Sequence, residues 1–151
     1  MDNLDPIPFF EAIDRLQADQ KPLFGSMQAQ HMVEHLVLTL RFSNGKQPQQ
    51  RHYSPEKEQR MRAFVLHTDQ ALPVGFKSPV LPAEGLPPLV YPDLAAAVKA
   101  FKTELQDFEA YFRQYPDEKP VNPTMGELDY EEWVRFHSKH VAHHFKQFEL
   151  L

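Results

Sequence analysis

The 151-residue chain reads as all-α, a four-helix bundle with a long proline-rich crossover loop, or five helices when a short first one is counted. Three observations predict this. Between Asp93 and Arg113, the residues Leu94, Val98, Phe101, Leu105, Phe108 and Phe112 recur by four and three, the stripe of a packed helix. Near the C-terminus, Trp133, His137, His140, Val141, His144, Gln147 and Phe148 share one helical face, while Arg135, Lys139 and Lys146 share the opposite one. No segment shows the apolar–polar alternation of a strand.

A first helix is expected from about Ile7 to Ala18, with Pro6 and Pro8 tolerated in its first turn and Phe9, Phe10, Ile13 and Leu16 on its apolar side. The Lys21–Gly25 stretch turns the chain. Ser26 reads as the N-cap of a second helix that ends near Asn44 and Gly45. This helix is apolar on more than one side, since Val33, Val37 and Leu40 oppose the face carrying His31, Met32, His35, Leu38, Thr39 and Phe42, so it belongs at the centre. After a glutamine-rich loop, Ser54, Pro55 and Glu56 open a third helix, along which Met61, Phe64, Val65, Thr68 and Leu72 recur. His67 has no partner four residues away and reads as a surface side chain.

Residues 73–92 hold six prolines and two glycines, which excludes regular structure there. So long a loop is uncommon in a compact domain. It is either a crossover spanning the bundle or a lid shaping access to a site, and the two readings are compatible. The helix from Asp93 carries no histidine and is therefore wall. A proline-rich lead-in from Tyr115 to Met125 follows. Asp129 and Glu132 then have the spacing of a capping box, opening a last helix that is expected to run to the C-terminus.

Composition narrows the function classes. With 42% hydrophobic and 25% charged residues, the chain is an ordinary globular domain long enough to bury a core. A net charge of −5 argues against nucleic acid or an anionic membrane as the main partner. Cysteine is absent, which removes thiolate nucleophiles and cysteine-based zinc sites and fits a reducing compartment. The acidic start lacks a signal-peptide core and no run reaches membrane-span length, so a cytoplasmic location is expected. Twelve phenylalanines permit a hydrophobic homodimer interface, although a filled core explains them equally well.

Four of the eight histidines fall between residues 137 and 144. An unpartnered polar group on a buried face costs roughly 1–3 kcal/mol, so these rings need partners. His140 and His144 lie one turn apart and reach a common point, as paired helix histidines do in zinc sites. The second helix offers His31 and His35, again one turn apart.

With Gln30-His31-Met32-Val33-Glu34-His35-Leu36 followed distantly by His140-Val141-Ala142-His143-His144-Phe145-Lys146-Gln147, the chain resembles the DinB/YfiT-like superfamily. The late His-x-x-His-His-x-x-Gln pattern is the most specific part of that resemblance. Pro123 to Trp133 looks like one poorly characterised branch of it. The resemblance covers nearly the whole chain and implies a single helical-bundle domain holding a divalent metal on His35, His140 and His144. His31 is then an extra residue: a further ligand, an orienting group or a packing residue. The resemblance also implies a metal-dependent transferase or hydrolase, with a low-molecular-weight thiol such as bacillithiol or mycothiol as cosubstrate, and bundles that often pair into dimers.

Three imidazoles leave an ion with an open position, the arrangement of catalytic sites. Zinc suits them best, and nickel and iron(II) are also accepted. No glutamate stands in a His-Glu-x-x-His arrangement between His140 and His144, so a standard zinc protease is excluded. Gln147 is a candidate to hydrogen-bond bound water or substrate, or else packs at the helix end. His137 is either a proton carrier near neutral pH or a packed histidine. His143 reads as a rim residue, and Glu34 and Glu127 are conceivable but unfavoured bases. The alternatives are a non-catalytic, stress-linked metal- or ligand-binding bundle, and a metal-free cluster satisfied by its own rings and buried water.

Overall fold

The computed structural model describes residues 5–73, 79–82 and 85–151. Among them five helices and one small hairpin follow in the order α1 (Ile7–Ile13), α2 (Ala29–Ser43), α3 (Pro55–Leu66), α4 (Leu94–Gln114), β1 (Val121–Asn122), β2 (Gly126–Glu127) and α5 (Tyr130–Gln147). The chain is mostly helical, as expected. The expectation of no strand is corrected by the hairpin, whose two-residue strands pair antiparallel, Val121 with Glu127 and Asn122 with Gly126. Strands so short carry no periodicity to read.

Helix α2 is central: it packs against α4, α5 and β1, while α3 and α1 pack on α5. Nine of its residues are buried, on both the histidine side and the Val33, Val37 and Leu40 side. Helix α4 buries Phe101, Leu105, Phe108 and Phe112 as the stripe predicts, and Asp93 caps it by accepting from the Ala96 amide at 2.8 Å. Trp133, Phe101, Phe108, Phe145 and Phe148 are the largest fully buried side chains. Burying each contributes about 1.5–3 kcal/mol or more.

Four element ends differ from expectation. Helix α1 stops at Ile13 rather than Ala18, because the following residues serve α5: Arg15 donates to the Leu150 carbonyl at 2.7 Å and Gln20 to that of Phe148. Ser26 is not the cap of α2. The chain is held by the Leu23 amide on the Gln147 carbonyl at 2.7 Å and redirected at Gly25, whose φ is +80°, so the helix begins at Ala29 after Gln28. Helix α3 ends at Leu66, with exposed His67 as its C-cap, before Thr68 and Leu72. Its last carbonyls are taken by α5, Arg135 donating to Leu66 and Lys139 to Val65 at 3.0 and 2.7 Å. Helix α5 opens on the Asp129–Glu132 capping box and ends at Gln147, with Phe148 as C-cap.

The hairpin is seated between α3 and α5. Arg62 donates to the Met125 carbonyl at 2.5 Å and the Trp133 indole to that of Pro120 at 3.1 Å. Gly126 has φ +75°, and a Cβ there would meet the buried Glu58 carboxylate at 2.8 Å. No described helix is long and apolar enough to cross a membrane.

Candidate metal centre

His35 comes from the middle of α2, and His140 and His144 from adjacent turns of α5. Their Nε2 atoms converge: His35 to His140 is 2.9 Å and His140 to His144 is 3.2 Å. Ligand atoms of all three lie within 4.8 Å of one another. Two nitrogens on one zinc at about 2.0–2.1 Å can be no more than about 4.2 Å apart, so the two shorter separations suit a shared ion and the widest must close by up to about 0.6 Å.

A short hydrogen bond fixes the tautomer of His144, and a long contact with Thr39 favours the same tautomer for His140. The Gln147 amide nitrogen donates to the Phe24 carbonyl at 2.8 Å, so its Oε1 faces His144 Nδ1 at 2.7 Å and accepts a hydrogen bond from it. Thr39 Oγ1 donates to the Leu36 carbonyl at 3.0 Å, so toward His140 Nδ1, at a long 3.5 Å, it can only accept. Both rings then carry their hydrogen on Nδ1 and a lone pair on Nε2. The 3.2 Å contact between those two Nε2 atoms has no hydrogen in it and is repulsive unless a cation lies beside both. The ligands are also neutral, as metal binding requires. Burial pushes His35 down to about 3, with His144 and His143 adding to it. Burial first, then the neighbouring imidazoles, takes His140 well below its ordinary range. His144 is lowered to about 4, mainly by burial and against the opposing Gln147 hydrogen bond. Buried His35 Nδ1 has no hydrogen-bond partner.

The other candidates separate. His31 is outside the cluster, with its own Nδ1 buried and unpartnered. Among the described residues no fourth histidine or carboxylate joins the three, which leaves a position open. Gln147 is not poised for substrate, because both ends of its amide are occupied; it positions His144 and ties it to the segment before α2. His137 is not a proton carrier. It is stacked on Trp133 with ring centroids 5.1 Å apart, edge-on to Phe108 at 5.0 Å, and its Nε2 meets Ser43 Oγ at 2.7 Å. Burial alone lowers it to about 3. His143 is a rim residue as expected, half-buried against Phe24.

Glu34 is no base: its carboxylate accepts from the Val90 and Tyr91 amides at 2.7 and 3.2 Å and from Gln30 at 2.9 Å, anchoring the end of the proline-rich loop. Glu127 is exposed on β2.

A cavity of about 190 Å³ opens beside the three imidazoles. Helix α3 contributes Met61 and Phe64, the hairpin Asn122 and Met125, and the proline-rich loop Pro73 and Leu81. The loop therefore does contribute to the site's wall through Pro73 and Leu81, while residues 74–78 and 83–84, on which the crossover reading also falls, lie outside the described residues. Sequence reasoning missed the hairpin wall. Its available signal was Asn122 two residues before Thr124, the pattern of a side chain closing its own turn.

Searches of curated proteins and of solved structures return no match. One family model, described as a protein of unknown function (DUF1569), matches residues 3–150. The chain that builds this histidine centre is a member of the DUF1569 family.

Proposed function

We propose that the protein is a divalent-metal-dependent enzyme of DinB/YfiT-like type, a four-helix bundle of α2 to α5 holding its ion on His35, His140 and His144. The observation that carries this is the 3.2 Å approach of the His140 and His144 Nε2 atoms, with His144 locked by Gln147 and His140 facing Thr39 at a longer 3.5 Å. Zinc suits three neutral imidazoles best, with nickel and iron(II) as accepted substitutes. When bound, the ion supplies a Lewis acid that acidifies a water or a thiol at the open position. Thiol transfer, with a low-molecular-weight thiol as cosubstrate, and hydrolysis both draw on that chemistry. Gln147 and Thr39 hold two ligand rings in the competent tautomer. The apolar walls, Phe64 and Phe136 among them, exclude water from the reacting end of a substrate. The three-ligand cluster favours catalysis over a purely structural site, which a fourth protein ligand would close.

The test is elemental analysis of tag-free protein purified without chelator, beside His140→Ala, with both assayed for thiol transfer to an electrophile. The expected result is one ion per chain and metal-dependent turnover in the wild type. The variant should keep its helices and lose both. Metal-free wild type with unchanged stability in the variant would refute the reading, and stoichiometric metal without turnover would leave only a metal-binding protein.

A further inference from the structure

We infer that the cavity beside the histidine centre takes a small substrate with a neutral, largely apolar body that presents a hydrogen-bond acceptor to Asn122. This deepens the metal reading by naming the substrate class of the same site. Size comes first. An apolar cavity of about 150 Å³ holds benzene, so 190 Å³ takes about seven to nine non-hydrogen atoms. Charge comes second. No Asp, Glu, Lys or Arg lines the cavity among the described residues, so away from the ion itself a charged group would be desolvated without a counter-charge. The walls instead offer methionines and aromatic rings, among them Met27, Met61, Met125, Phe42 and Phe136.

Polarity comes third, and it is placed on the hairpin. Asn122 is buried, and its Oδ1 accepts from the Thr124 amide at 3.0 Å and the Thr124 hydroxyl at 3.1 Å. A backbone N–H can only donate, so the oxygen end of the side chain is fixed there. The Asn122 amide nitrogen is left as the donor on that wall. A carbonyl or ether oxygen satisfies it; a hydrocarbon leaves it unused. The cavity thus selects an acceptor for Asn122 on a neutral apolar body, whatever group faces the open metal position.

The experiment titrates zinc-loaded wild-type protein with acetophenone and with toluene by calorimetry at two temperatures, with zinc content measured on the same samples. Both should bind at one saturable site with a negative heat-capacity change, acetophenone more tightly. Asn122→Asp keeps the Oδ1 contacts with Thr124 and removes the donor, and should weaken acetophenone about tenfold more than toluene. Met61→Trp fills the cavity and should abolish both while zinc stays. Saturable binding of neither compound to zinc-containing wild type would overturn the inference and leave the metal reading intact. Equal weakening of both compounds in Asn122→Asp would overturn it too. Binding of acetophenone by wild type that takes up no zinc would uphold the inference and sink the metal reading.

Discussion

His137 and His140 stand one turn apart on the same helix, both buried and both pushed far below the ordinary histidine range. Around His137 the chain itself serves the outer nitrogen: Ser43 takes its Nε2, and Trp133, Phe108 and Phe136 enclose the ring. Around His140 the ring's outer nitrogen faces two other imidazoles, with at least one contact lacking a hydrogen. Burial and depressed basicity therefore do not distinguish a ligand from a core residue. What distinguishes them is whether the chain itself completes the hydrogen bonding.

Substitutions at the two positions should break in opposite ways. The largest effect is expected for His140→Ala. At zinc a hundredfold above its dissociation constant, the wild type gains about 2.7 kcal/mol, a rise of roughly 5–11 °C in Tm. The variant should show no zinc-dependent rise in a calorimetric scan. His137→Ala should keep that rise yet lose about 2 kcal/mol of metal-free stability in urea unfolding, through the cavity left among the aromatic rings and the lost hydrogen bond to Ser43. Gln147→Ala, which frees the His144 ring and its tautomer, should weaken zinc binding about 10- to 100-fold in a chelator competition. Thr39→Val should weaken it less, because its 3.5 Å contact with His140 is long.

The smallest effect per step is on pH. An unfolded histidine takes up a proton below about pH 6.5, whereas folded His137 does so only near 3. The unfolded state binds more protons in that window, so stability falls on acidification from about 6.5 toward 3, by about 1.4 kcal/mol per pH unit for each such group. In metal-free protein, His137→Gln should reduce the slope of unfolding free energy against pH by about one proton.

Much of this was legible in the residues. The α4 stripe, the Asp129–Glu132 box and the i, i+4 spacing of His140 and His144 depend on local periodicity, which a sequence displays directly. The pairing of His35 with them required two helices from opposite ends of the chain to meet, and that came from a resemblance rather than from spacing. The partners of Gln147, Glu34 and His137 were not legible, because each is distant in the chain: the Phe24 carbonyl, the Val90 and Tyr91 amides, and Ser43. The same holds for the ends of α1 and α2, set by contacts with the C-terminus of α5. A hairpin of two-residue strands leaves only a turn signature.

The contrast between the two neighbouring histidines is tested most directly by titrating metal-free protein with zinc at pH 7.5 and counting bound ions by elemental analysis after dialysis. The account predicts one ion per chain in the wild type and in His137→Gln, and none in His140→Ala. Equal zinc retention in the two variants, or none in the wild type, would contradict it.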